Sequence, residues 1–107
     1  MRAGLVAISI LFGSFLMTST HAAPNSSVRR GQQMAKANCA ICHSIDKRSE
    51  STDKEAPPFR ELKNRYPLDS LEEAFAEGLS TSHPRMPIFK IENPQGISDF
   101  INFLKSL

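Results

Sequence analysis

A chain of 107 residues has room for one domain and not for two sizeable cores. Thirteen Lys and Arg stand against eleven Asp and Glu, a formal net charge of +2, and neither a basic run nor a basic stretch interleaved with aromatics is present, which argues against nucleic acid as a partner. Only two residues are cysteine, so a framework of several disulfides is excluded.

The chain opens on Arg2, runs through the apolar stretch Leu5 to Met17, and reaches small residues at Ala22 and Ala23. A basic end, a short apolar core and small residues at the cut make a secretory signal peptide of residues 1–22, cleaved between Ala22 and Ala23. The apolar run is short of the ~20 residues a membrane span needs, so stable membrane insertion is not expected; a retained anchor is the alternative. Residues 23–107 then form the mature domain. Its size is just above that at which an apolar core alone is marginal, and such domains carry an internal staple.

The first predicted helix covers residues 27–38, with Val28, Gly31, Met34 and Ala35 on one stripe and Ser26 or Ser27 as its N-cap. The sequence CAICH follows at residues 39–43. Residues 44–56 are polar and without period, and read as a surface loop. A short helix starts at Pro58, with Phe59, Leu62 and Tyr66 spaced by three and four. Asp69 to Glu72 resembles a capping box for a further helix through Leu71, Ala74 and Phe75, stopping at Gly78. Pro84 and Pro87 bracket Arg85 and Met86 in a segment that proline chemistry pushes into an extended, irregular path. Asn93-Pro94 starts the last helix, with Ile97, Phe100, Ile101 and Leu104 on one face. No segment alternates at period two, so the fold class is all-α.

The two cysteines, Cys39 and Cys42, carry the chemistry. A disulfide between them closes so small a loop that it constrains the unfolded chain little. A thioredoxin-type pair wants a preceding strand and a βαβ pattern, and neither is visible. Zinc needs a second ligand pair, and His83 stands alone. C-x-x-C-H is complete by itself as the attachment motif of c-type haem. Residues three apart on a helical turn point the same way, so both sulfurs can reach one haem edge, and His43 then falls beneath the ring as an iron ligand. A second ligand must lie elsewhere in the mature chain, at Met86, His83 or Met34. Met34 joins the stripe of the first helix, whereas Met86 is displayed by a segment held between prolines; Met86 is favoured over His83, and an open sixth position is the third reading.

CAICH after a helix containing Gly31, the downstream APPF, the later RMPIF and the closing ISDFINFLKSL together resemble a small class I c-type cytochrome of bacteria, from about Val28 to Leu107. The resemblance implies about four short helices around one covalent haem c, and a first and last helix that cross where Gly31 meets Phe100 or Phe103. It makes His43 the proximal and Met86 the distal iron ligand, and has the Pro57 carbonyl accept from the His43 ring. Ala56 stands where the family usually has glycine, and with no tryptophan in the chain Arg60 and Arg65 are candidates for haem propionate contacts. Tyr66 reads as a core residue with its hydroxyl at the rim.

The function implied is that of a periplasmic single-electron carrier, monomeric and not an enzyme, between redox protein partners: a reductase on one side and an oxidase or dehydrogenase on the other. Lys47, Lys54, Lys63, Lys90 and Lys105 are candidates for steering the encounter. The alternatives are a haem c subunit dedicated to one enzyme complex, or a gas-binding or peroxidase-like haem protein if Met86 does not ligate iron.

Overall fold

The structure, a computed structural model, describes Gly4, Gly13 and residues 26–107; apart from those two glycines the predicted signal peptide lies outside the described residues, and so does its cleavage site. Four helices follow in order: α1 (Ser26–Asn38), α2 (Phe59–Arg65), α3 (Leu68–Glu77) and α4 (Pro94–Ser106). Among the described residues the only strand-like pairing is an isolated antiparallel bridge between Leu79 and Phe89. The fold is all-α, as the periodicities predict.

The α1–α4 crossing organises the molecule. Gly31 and Ala35 are the buried residues of α1, and a Cβ built on Gly31 would stand 2.1 Å from the Asp99 carbonyl oxygen of α4 and 2.7 Å from the Phe103 Cβ. Only a residue without a side chain lets the two backbones approach so closely. Beside this contact the buried Asp99 carboxylate accepts from Arg30 Nε at 2.7 Å, Arg30 Nη2 at 2.9 Å, Ser27 Oγ at 2.6 Å and Gln95 Nε2 at 3.1 Å. Ser27 therefore ties α1 to α4, and the helix begins at Ser26 rather than using Ser27 as its N-cap. Arg30, foremost, and Ser27 hold the Asp99 carboxyl well below the usual carboxylate range.

Helix α4 starts where Asn93-Pro94 predicts, with the Asn93 side chain accepting from Gln95 N at 2.8 Å and proline in the first turn. It buries Ile97, Phe100, Ile101, Phe103 and Leu104, each contributing about 1.5–3 kcal/mol of transfer free energy. Phe100 is the hub, with Phe59 of α2 at 5.9 Å and Phe75 of α3 at 4.9 Å between ring centroids, both edge-on.

Two start signals resolve differently from the sequence reading. The capping box at Asp69 does not form: α3 begins at Leu68 behind Pro67, with no side-chain cap, because the Pro67 carbonyl itself accepts from Ser70 and Leu71 at 3.1 and 3.2 Å. Pro58 likewise sits just before α2 in extended conformation (φ −57°, ψ 140°), and Phe59 is the first helical residue. Gly78 ends α3 at φ +112°, a conformation glycine adopts without strain. Tyr66, expected in the core, is 52% exposed at the C-cap of α2; the last residue of a two-turn helix overhangs the core it was spaced to reach.

Candidate cofactor site

The end of α1 builds the first wall of the site. Its backbone continues past Asn38 through Cys39 N to Ala35 O (2.8 Å), Cys42 N to Cys39 O (3.2 Å) and His43 N to Cys39 O (2.9 Å). This extra turn brings Cys39, Cys42 and His43 to the wall of one cavity of about 620 Å³, within the range of about 300–1,000 Å³ usual for ligand clefts. Phe59, Leu71, Phe75, Leu79, Phe89 and Phe100 give it an apolar interior. Both cysteines are free thiols, and burial pushes the Cys39 thiol up to about 11. A redox-active C-x-x-C pair needs the opposite, a depressed thiol pKa.

His43 is held firmly. Its Nδ1 lies 2.8 Å from the Pro57 carbonyl oxygen, and its ring packs at 5.1 Å on Phe59. A carbonyl only accepts, so Nδ1 carries the proton and Nε2 keeps its lone pair. Ala56 and Pro58 on either side do not displace that carbonyl: the chain is fastened there by Ala56 N to Asp53 O (3.0 Å) and by Phe59 N to the carbonyl of buried Ser44 (2.9 Å).

Met86 lines the same cavity from the segment between Leu79 and Phe89. That segment is pinched at its base by two backbone bonds, Leu79 N to Phe89 O at 2.8 Å and Phe89 N to Leu79 O at 3.1 Å. His83 lines the cavity too, but both of its ring nitrogens are engaged: Nδ1 accepts from Arg85 N at 3.3 Å, and Nε2 donates to Glu55 at 2.6 Å. Met34 is not part of the lining and packs against the core beside α4.

The two arginines considered for propionate contacts are committed elsewhere. Arg60 donates to the Ser49 carbonyl at 2.7 Å and Arg65 to Glu61 at 3.0 Å, and neither lines the cavity. The arginine that does is Arg85, paired with Asp53 at 3.0 Å and Glu55 at 2.7 Å. Sequence reasoning missed this group because its members lie about thirty positions apart and no local periodicity links them.

Two thiols on one turn, an imidazole held by one nitrogen, a thioether and walls of aromatic and aliphatic side chains suit a flat, apolar, iron-bearing macrocycle. They suit a polar substrate poorly. The family model for cytochrome c matches residues 28–107. No curated protein matches the chain, and no solved structure does. A match over most of the chain settles the family: this protein belongs to the cytochrome c family, as a small c-type cytochrome that covalently binds haem c through a C-x-x-C-H motif, transfers electrons and works with redox protein partners.

Proposed function

We propose that this member of the cytochrome c family is a periplasmic single-electron carrier, exported by residues 1–22 and working as a monomer formed by residues 23–107. Cys39 and Cys42 hold the haem as thioethers, His43 Nε2 and the Met86 sulfur take the two axial positions, and the Pro57 carbonyl orients the His43 ring. Haem c supplies one-electron ferric and ferrous chemistry when bound. The observation that carries the ligand assignment is the state of the two histidines. Nε2 of His43 is left with a free lone pair by the Pro57 contact, whereas His83 has none to give, its Nδ1 accepting from Arg85 and its Nε2 donating to Glu55. Met86 is the remaining soft donor on the cavity wall.

The residues then explain the rest of the role. With His43 and Met86 both committed to iron, no position is open for a substrate, which makes the protein a carrier rather than an enzyme. A neutral thioether favours the ferrous state over harder ligation and raises the potential. Holding the imidazole by Pro57 and packing it on Phe59 keeps the proximal side fixed while the charge changes. Ile41, 81% exposed at the cavity wall, offers an apolar contact for the small, quickly separating interfaces of redox encounters. None of the five lysines considered for steering lines the cavity. A reductase and an oxidase or dehydrogenase are the partner classes.

The test is optical and electrochemical. The ferric protein is expected to show the weak near-infrared band of sulfur-to-iron ligation. Met86→Ala is expected to lose that band, lower the midpoint potential and admit carbon monoxide to the ferrous haem, while His83→Ala keeps the band. A band that survives Met86→Ala and disappears in His83→Ala refutes the assignment.

A further inference from the structure

The segment 80–88 carries Met86 between the two halves of the Leu79–Phe89 bridge. Its internal bonds are Met86 N to His83 O (3.1 Å), His83 N to Thr81 Oγ1 (3.2 Å) and Arg85 N to His83 Nδ1 (3.3 Å). Among the described residues, every hydrogen bond that ties 80–88 to the rest of the chain goes to just two side chains, Asp53 and Glu55. Glu55 takes His83 Nε2 at 2.6 Å and Arg85 Nη2 at 2.7 Å on one carboxylate oxygen, and Asp53 takes the same Arg85 nitrogen at 3.0 Å. The two acidic residues sit on a turn that is itself bound to the other wall of the cavity: Asp53 N donates to Cys42 O at 3.1 Å, Glu55 N donates to Asp53 Oδ1 at 3.0 Å, and Pro57, two residues on, accepts from His43.

We propose that Glu55 is a positioning residue for Met86, clasping the 80–88 segment to the turn that holds Cys42 and His43 and so keeping the thioether over the site. The proposal rests on the reading of Met86 as an iron ligand. Glu55 grips His83 and Arg85, which both come just before Met86 in the chain, and makes no hydrogen bond to Met86 itself. Its pairs are solvent-exposed, with Glu55 65% and Arg85 62% accessible. Each is therefore weak and screened by salt, and their effect lies in making up, together with the Arg85–Asp53 pair, the hydrogen bonds that tie the segment to the rest of the chain among the described residues. A clasp of that strength leaves a small population in which the segment lifts away, and an added ligand reads out that population.

The experiment uses the haem-loaded ferric protein at low ionic strength, with imidazole as the competing ligand. Glu55→Ala is expected to bind imidazole about three- to tenfold more tightly than the parent, while keeping the near-infrared sulfur-to-iron band in its absence. Glu55→Gln retains an acceptor oxygen without the charge and is expected to fall between the two. Raising the ionic strength is expected to move the parent toward Glu55→Ala and to move Glu55→Ala less, through the Arg85–Asp53 pair that it keeps. Hydrogen exchange separates clasping from general stability: amides within 80–88 exchange faster in Glu55→Ala by a similar factor, and those of α1 and α4 do not. Unchanged imidazole affinity with the band present overturns the clasp alone, and so does exchange that rises equally in α1 and α4. Absence of the band from the parent overturns the ligand reading first, and the proposal with it.

Discussion

Replacing Gly31 by alanine puts a methyl group where the α4 backbone already is. The new Cβ would stand 2.1 Å from the Asp99 carbonyl oxygen and 2.7 Å from its carbon, whereas a carbon and a carbonyl oxygen in contact sit at about 3.3 Å or more. The obstacle is main chain, so no rotamer change relieves it, and α1 and α4 must part by about 1 Å along a crossing that fully buries Ala35, Phe100 and Leu104. Overpacking of this kind costs about 1–3 kcal/mol, here at the upper end. Alanine returns about 1 kcal/mol of helix propensity. The net loss is about 2 kcal/mol, or about 8–16 °C in the unfolding temperature of a domain this small. The assay is thermal unfolding of the haem-loaded protein followed by circular dichroism. Gly96→Ala is the control: its Cβ would meet side-chain atoms rather than the backbone of another element, Ile91 Cγ2 at 3.1 Å, Met34 Cε at 3.3 Å and Asn93 Cβ at 3.9 Å, so shifts of a few tenths of an ångström suffice. An unfolding temperature for Gly31→Ala within a few degrees of both parent and control would refute the reasoning.

Acid should weaken the fold in a defined window. Asp99 is held well below the usual carboxylate range by Arg30, Ser49 and the Arg48 backbone bring Asp46 to about 2, and His83 foremost lowers Glu55; the unfolded chain therefore takes up protons first, and stability that is complete above pH ~5 drains as the pH falls toward 2. A flat unfolding temperature from pH 5 to pH 2 would contradict this. Asp99→Asn keeps an acceptor but loses the charge-assisted pair to Arg30, and should cost about 1–2 kcal/mol in a urea titration, the low end for a buried pair because Arg30 is half exposed and can return to water. Cys39→Ala/Cys42→Ala should give a chain without covalent haem, judged by a haem stain on a denaturing gel, and without cooperative unfolding; a sharp transition in the haem-free variant would count against the cofactor as part of the core.

What could be read from the sequence was local. C-x-x-C-H at residues 39–43 is a spacing, the Asn93-Pro94 start is a dipeptide, and the faces of α1 and α4 are periodicities, and each needs only a few neighbouring residues to be recognised. What could not be read was long-range pairing between polar groups. Arg30 lies off the apolar stripe of its helix, yet it meets Asp99 of α4 across 69 positions. Glu55 and Asp53 sat in a polar stretch with no period, and nothing within that stretch points to His83 and Arg85. The Asp69 signal failed for a related reason: a capping side chain competes with the backbone, and behind Pro67 the backbone supplies the acceptor one turn earlier. Arg60 and Arg65, the candidates for propionate contacts, each have a partner outside the cavity, which their positions in the sequence do not reveal.

The cavity itself joins fold to function. Phe59, Leu71, Phe75 and Phe100 line it, and they are the same side chains that bind α2 and α3 to α4. Those two helices are short and start without side-chain caps, so little besides these contacts holds them in place. The haem therefore completes a core that the chain is too small to complete alone. A haem attached at the turn that ends α1 and seated among these side chains would have few ways to move when its charge changes by one electron, which is what electron transfer asks of the fold.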